Sequence, residues 1–194
     1  MQRRVFMSEV KFKPWIGDRY SDAELYGLKI LLVGESHYGD EPDDYSKSTT
    51  DVVRWIGQDK RYGFFTKISN LLLNSGHEWL SDKERYDFWN KVAFYNYIQE
   101  LAGKEARIRP TQGMWKNAVK PFLEVCKELA PDLIVFFGKE LSDYIPKIPT
   151  QHTYCCVMHP SSSRFSYKNE WPIVENAINQ AKNNKSENAH HPIL

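Results

Sequence analysis

One short segment near the start of the chain carries several groups that could do chemistry. Residues 34–40 have the sequence GESHYGD, so Glu35, Ser36 and His37 place a carboxylate, a hydroxyl and an imidazole in succession. A carboxylate in such a position can orient a water molecule, and an imidazole can shuttle a proton. Gly34 allows the backbone to turn tightly and to approach a ligand closely. The competing interpretation is a solvated turn, but the position directly after an apolar run favours a functional one.

A second polar segment, HPSSSRFSY, occupies residues 159–167. Pro160 fixes the chain just after His159, which makes the position of the imidazole reproducible. The serines that follow can offer hydroxyls and backbone N–H groups to a phosphate, and Arg164 can add a charged fork. These serines are Ser161, Ser162 and Ser163. An ordinary turn, in which Pro and Ser are common, explains the local pattern equally well.

Two further side chains are of the kind that recognises a nucleobase. Asn96 stands in an apolar, aromatic run, and its amide can both accept and donate hydrogen bonds at a base edge. An asparagine that bonds the nearby backbone is the simpler alternative. Phe64 can stack on a base, although a phenylalanine at the start of a helix is more often part of the core. The tryptophans at positions 55, 79, 89, 115 and 171 are best explained by packing.

The elements that must position these groups follow from the hydrophobic pattern. Apolar runs predict strands over residues 28–33, 92–97, 132–137 and 153–158. Helical patterns cover 64–73, a short stretch beginning at 81–84, 114–129, 141–145 and 171–181. Pro121 predicts a break or kink in the long helix. Residues 35–62 lack periodicity and are predicted to form a long polar loop.

Strands that alternate with helices require crossover connections, which favour a parallel sheet. The sequence therefore predicts a three-layer α/β/α fold with a four-stranded, mostly parallel sheet. In open sheets of this kind, ligands bind outside the carboxyl ends of the strands. The polar segments at 34–40 and 159–167, together with Asn96, are expected to meet at that rim.

Length and composition favour one globular domain without a strongly basic surface. The chain has 194 residues, of which 41% are hydrophobic and 26% charged, with a net charge of +1. We expect a single domain over residues 1–183 and a frayed polar tail over 184–194. Any contact with DNA must come from a local patch, because the overall field is close to neutral.

The cysteines and the apolar runs limit the class of protein further. Cys126, Cys155 and Cys156 lack the spacing of a disulfide framework or of a metal or iron–sulfur site. Reduced core thiols are expected, with no metal and no organic cofactor. No apolar run is long enough for a signal peptide or a membrane span. These features predict a cytoplasmic protein, which we expect to be a monomer.

Taken together, the polar segments resemble the motifs of the uracil-DNA glycosylase superfamily. That family carries GQDPY, GMNPG or GEAPG after its first strand, an asparagine ending a central strand, and HPS after its last strand. The matching residues, in the same order across roughly residues 28–180, are Gly34-Glu35-Ser36-His37-Tyr38, Asn96 and His159-Pro160-Ser161. The chain is a divergent match, since Ser36 stands where some members have a water-orienting acid and His37 replaces the usual proline.

The resemblance implies a DNA glycosylase that hydrolyses the N-glycosidic bond of uracil or another deaminated base. It implies that His159 stabilises negative charge on the departing base and that Asn96 recognises the pyrimidine edge. Phe64 is the candidate for stacking on the base, and Glu35, which matches the GEAPG form, would position the water. The phosphate contact falls on Ser161.

The implied pocket is bounded by residues 34–38, which include Tyr38, and by Asn96 and His159. The base must leave the stack to enter it. The implied partner is single- or double-stranded DNA containing a lesion.

Two other functions remain open at this point. GESHYG is similar to the GxSxG nucleophile elbow of serine hydrolases, and Ser36, Asp132 or Asp143, and His159 occur in a suitable order. However, Tyr38 stands where that elbow has its second glycine. The second alternative is a catalytically silent module that binds nucleic acid or a nucleotide, which Ser36 in place of an acid favours.

Overall fold

The computed structural model describes residues 9–105, 108–146 and 152–190, of which residues 188–190 are described by their backbone alone. Within these residues, one sheet has the spatial order β1-β3-β2-β4-β5. Its strands are β1 (Trp15–Ile16), β2 (Ile30–Gly34), β3 (Ala93–Asn96), β4 (Leu133–Phe137) and β5 (Thr153–Val157). Strands β2 to β5 pair in parallel, and β1 is antiparallel to β3. The protein is therefore a mixed α/β protein with a mostly parallel sheet.

The expected count of four strands is wrong, because β1 adds a fifth strand in the described part of the chain. Its two residues pair with Phe94 and Ala93. The indole of Trp15 also donates a hydrogen bond of 2.8 Å to the carbonyl of Trp89, which ties this arm to the sheet edge. Two residues are too few to show the alternation by which a strand is recognised in a sequence.

The described helices lie on both faces of the sheet. They are α1 (Ser48–Val52), α2 (Gly63–Leu72), α3 (Asp82–Trp89), α4 (Gln112–Leu129), α5 (Lys139–Ser142) and α6 (Tyr167–His190). Leu32 faces a core formed with Ile68 of α2 and Val174 of α6. Val33, its neighbour, faces a second core formed with Phe122 of α4. Strand β2 is thus buried on both faces, which explains its continuous apolar sequence.

The segment expected to be a polar loop contains helical structure. Tyr45–Lys47 forms a 3₁₀ turn, α1 follows it, and a π-helix covers Val53–Asp59. Asp44 caps the 3₁₀ turn, because its side chain accepts the N–H of Ser46 at 2.9 Å. These elements bury few apolar side chains, which explains why the sequence shows no helical periodicity.

Two expectations about the long helices also differ from the structure. Helix α4 is continuous through Pro121, since buried side chains on both sides of the proline, including Trp115 and Phe122, pack it against the sheet. Helix α6 runs to His190 and covers most of the expected frayed tail. Lys185 explains this order, because its ammonium donates to Asp132 at 2.8 Å and to a backbone carbonyl at 2.9 Å. Residues 191–194 lie outside the described residues.

Among the described helices, none combines the length and apolar character that a membrane crossing requires. Cys126 and Cys155 are buried free thiols, and Cys156 is a half-buried one.

Candidate functional site

The carboxyl ends of the parallel strands bring the polar segments to one rim of the sheet. Gly34 ends β2 directly opposite Asn96, which ends β3. Strand β5 ends at Val157 in register with Phe137 of β4, and His159 follows two residues later. The expected meeting of these groups at the rim is therefore observed.

Gly34 and Asn96 are in very close contact. A Cβ atom at Gly34 would lie 2.4 Å from the Oδ1 atom of Asn96 and 3.1 Å from the ring of Phe94. Only glycine therefore allows the Asn96 side chain to fold over the end of β2. Asn96 is 7% exposed, and its carboxamide has no hydrogen-bond partner among the described residues. With no protein partner, this amide is available to a ligand at the rim.

His159 presents a defined hydrogen-bond donor at the same rim. Its Nδ1 atom accepts the backbone N–H of Ser161 at 3.1 Å. A neutral imidazole with an accepting Nδ1 carries its proton on Nε2. Burial, together with the positive charges of Arg109 and Lys67, lowers the pKa of His159 from its ordinary value. The ring is therefore neutral near pH 7 and offers an Nε2–H donor.

The loop that carries His159 is held from three directions. The His159 carbonyl accepts the N–H of Ser162 at 2.8 Å. Lys67 of α2 donates to the carbonyl of Pro160 at 2.7 Å. The buried carboxylate of Glu170 in α6 accepts the N–H of Met158 at 3.0 Å. The imidazole thus sits on a rigid support, as a preorganised site requires.

Phe64 connects this loop to the centre of the sheet. Its ring centroid lies 5.1 Å from that of His159 and 6.3 Å from that of Phe94. Phe94 also approaches Gly34, so the aromatic contact continues to Asn96. Phe64 is half-buried, whereas Phe65 is 5% exposed and belongs to the core. The structure therefore brings Phe64, Asn96 and His159 into one contiguous set.

Glu35 lies beside this set and is engaged in an ion pair. It is 8% exposed, and its Oε2 atom accepts a hydrogen bond of 2.9 Å from Arg109. The same guanidinium also binds Glu140 at the start of α5. Burial raises the pKa of Glu35 above its ordinary value, while Arg109 acts in the opposite direction. Sequence reasoning missed Arg109, whose only local signal is a charged residue directly before Pro110.

Ser36 and His37, which follow Glu35 in the first motif, form no hydrogen bond or ring contact with Phe64, Asn96 or His159. The Ser36 hydroxyl is fully buried and has no hydrogen-bond partner among the described residues. His37 is buried, with its Nε2 atom 2.9 Å from the Thr49 hydroxyl and its ring 4.7 Å from Phe12. Burial lowers the pKa of His37 to about 4, so the ring is neutral. In this arrangement His37 packs the motif against α1 and the N-terminal arm.

The remaining expected residues lie at the edge of the site. Ser161, Ser163 and Arg164 are exposed, and Ser162 is half-buried, with its hydroxyl accepting the N–H of Arg164 at 3.2 Å. Tyr38 is half-buried. It lines a depression of about 480 Å³ whose other walls carry the acidic residues Asp40, Asp43, Asp44 and Asp51.

The two flanks of the rim therefore differ in charge. Four carboxylates against the single cation Lys47 give the depression a negative charge that repels a phosphate backbone. Lys67 and Arg164 lie on the side of the HPS loop, where the charge of Arg109 is balanced by Glu35 and Glu140. A polyanion at this rim would follow that cationic side. Among the described residues, no group of three or more His, Cys, Asp or Glu side chains could hold a metal ion.

The burial of neutral His37 makes the stability of the protein depend on pH. Its pKa is about 4 in the folded protein and about 6.5 in an unfolded chain, so only the unfolded chain takes up a proton between these values. We expect about 3 kcal/mol of the free energy of unfolding to be lost as the pH falls through this window. Urea unfolding of His37→Gln between pH 7 and pH 4 should show a much smaller loss than the wild type. An exposed-histidine control, His77→Gln, should retain the full loss, and equal pH dependence in all three proteins would contradict this account.

No protein-family model matches the chain, and no curated protein matches it either. The assignment of a function therefore depends on the geometry of this rim and on the motifs that supply it.

Proposed function

We propose that this rim is a nucleobase pocket and that the protein hydrolyses the N-glycosidic bond of uracil or another deaminated base in DNA. One observation supports this most directly. The Asn96 carboxamide, which has no hydrogen-bond partner among the described residues, shares the rim with the Nε2–H donor of His159. The ring of Phe64 contacts both His159 and Phe94. An amide, a neutral donor and an aromatic face are the groups needed to hold one extruded base.

Asn96 suits the edge of a deaminated base. In uracil and in hypoxanthine, a carbonyl oxygen stands beside a ring N–H. The carboxamide of Asn96 can donate to that oxygen and accept from that N–H at the same time. An amide without a protein partner can give both kinds of hydrogen bond to such a ligand.

His159 suits the charge that develops as the bond breaks. The electron pair of the C1′–N bond leaves with the base, so negative charge builds on the base and positive charge on the sugar. A neutral Nε2–H donor held by the HPS loop can stabilise that negative charge without giving up its proton. The oxygen of a water molecule then bonds to C1′, and a proton of that water passes to a side chain that acts as the general base.

Glu35 is the residue that supports this last step. Its carboxylate can orient the water and accept the proton, provided that it is ionised. The ion pair with Arg109 favours the ionised form, although it also occupies one carboxylate oxygen.

A silent binding module is the second candidate, and the same ion pair favours it. If Arg109 holds Glu35 permanently, the pocket binds a base without activating water, and Ser36 supplies no acid in its place. The serine hydrolase alternative gains no such support. Among the described residues, the Ser36 hydroxyl has no hydrogen-bond partner that could act as a general base. The Nδ1 atom of His159 already accepts the backbone N–H of Ser161.

Base release from labelled oligonucleotides distinguishes these functions. Strands carrying uracil, hypoxanthine or no lesion should be compared with the wild type and with His159→Ala. We expect release of a deaminated base, and a loss of about 100-fold in its rate in His159→Ala, because a donor to developing negative charge is removed. His77→Ala removes an exposed histidine whose ring contacts Tyr167 and not the set formed by Phe64, Asn96 and His159, and it should retain the wild-type rate. If the folded wild type releases no base but binds free uracil, the silent module is the correct function.

The ion pair between Glu35 and Arg109 predicts how the rate depends on pH. Arg109 lowers the pKa of Glu35, and it also lowers that of His159. Removing this charge in Arg109→Gln should raise the pKa values of both Glu35 and His159. The acidic limb of the pH–rate profile should therefore move to higher pH. Lys127→Gln, which removes an exposed charge from the last turn of α4, at the end of that helix farther along the chain from Arg109, should leave the limb in place. A profile that stays unchanged in Arg109→Gln would exclude Glu35 as the group that must ionise.

A further inference from the structure

Three large aromatic side chains in the segments on either side of α2 are exposed to solvent. Trp55 and Tyr62 are each 56% exposed, and Trp79 is 75% exposed. Trp55 and Trp79 were expected to pack inside the protein, as Trp89 and Trp115 do, so for these two the expectation is wrong. Exposed rings of this size commonly mark an interaction site. We call the patch formed by Trp55, Lys60, Arg61, Tyr62 and Trp79 the tryptophan surface.

Two cations lie over the rings of this surface. The Lys60 ammonium is 4.2 Å from the ring centroid of Trp55. The Arg61 guanidinium is 3.7 Å from that of Trp79. Because Lys60 and Arg61 are consecutive, both indoles lie close to one short segment. The surface therefore combines aromatic faces and positive charge within a few residues.

The π-helix over Val53–Asp59 sets the direction of Trp55. Gly57 faces inward, since a Cβ atom there would lie 3.3 Å from the indole of Trp89. Gln58 is buried as well, and its carbonyl accepts a hydrogen bond from buried Arg85. With the inner side anchored in this way, Trp55 is displayed to solvent. A π-helical turn is a costly geometry that frequently occurs at functional sites.

The tryptophan surface is continuous with the rim along the chain. Tyr62 directly precedes α2, and Phe64 in the first turn of that helix contacts His159. The segment 54–62 carries Arg54, Lys60 and Arg61 against a single acidic residue, Asp59. Arg61 is already paired with Asp82 at 3.0 Å, whereas Lys60 has no carboxylate partner among the described residues. The depression beside Tyr38 has the opposite charge. Lys60 is therefore the cation of the tryptophan surface that is available to a phosphate, and the aromatic faces favour a ligand that also carries flat rings.

We propose that the tryptophan surface binds unpaired nucleotides, with bases stacked on its rings and a phosphate held by Lys60. Every base has a π face, so aromatic platforms with interleaved cations bind single strands without regard to sequence. In a duplex the same faces are stacked on each other and cannot be offered to the protein. The inference rests on the proposed function in one respect, namely that the bound strand is the one carrying the base for the pocket.

Fluorescence anisotropy with a short labelled oligothymidylate, which contains no uracil, tests this surface separately from the pocket. The full chain should bind the single strand and bind a hairpin duplex of matched length more weakly. Trp79→Ala and Trp55→Ala should each weaken single-strand binding about tenfold, the cost of losing one stacked base. Tyr154→Ala removes a similarly exposed ring (51%) from β5 and should leave binding unchanged.

The outcomes separate this inference from the proposed function. Single-strand binding that depends on Trp55 and Trp79 supports the surface even if no base is ever released. Two results would overturn the surface and leave the pocket intact in a protein that releases a base. In the first, the protein binds oligothymidylate no more tightly than the duplex. In the second, the wild type and all variants bind oligothymidylate with equal affinity. A folded protein that binds neither nucleic acid also overturns the surface, and a protein partner would then be the occupant to seek.

Discussion

The site depends on the absence of a side chain at Gly34. Parallel pairing places the end of β2 opposite the end of β3, and the Oδ1 atom of Asn96 occupies the space that a Cβ atom would need. With any other residue at this position, the carboxamide would be displaced from the rim. Phe94 fills the rest of that space and supports Phe64, which in turn contacts His159. One steric constraint thus connects the sheet to the amide, the aromatic ring and the imidazole.

Electrostatics then decides what the pocket can do. Glu35 and Glu140 share the guanidinium of Arg109, so one cation serves two carboxylates at the edge of the rim. Burial opposes ionisation of Glu35, and Arg109 favours it. If the ion pair opens when substrate binds, the carboxylate is available to water, and if it stays closed, the pocket only binds. The difference between an enzyme and a binding module therefore lies in one hydrogen-bonded contact.

The sequence predicted the features that arise from local pattern. The four parallel strands, the helices packed on them and the meeting of Gly34, Asn96 and His159 at one rim follow from apolar runs that end in polar motifs. The pairing of Glu35 with Arg109 could not be predicted, since it joins residues 74 positions apart. Strand β1 is too short to show a period, and the π-helix lacks an apolar face. The exposure of Trp55 and Trp79 depends on how the π-helix and the segment between α2 and α3 are oriented, which composition alone does not determine.

The tautomer of His159 tests the central claim most directly. Nitrogen chemical shifts of His159 in ¹⁵N-labelled protein, measured at pH 7 without and with free uracil, distinguish the neutral tautomers from the cation. The account predicts a neutral ring with its proton on Nε2, and an Nε2 shift that changes when uracil is added while that of His77 does not. A cationic ring, a proton on Nδ1, or an Nε2 resonance unaffected by saturating uracil would contradict it.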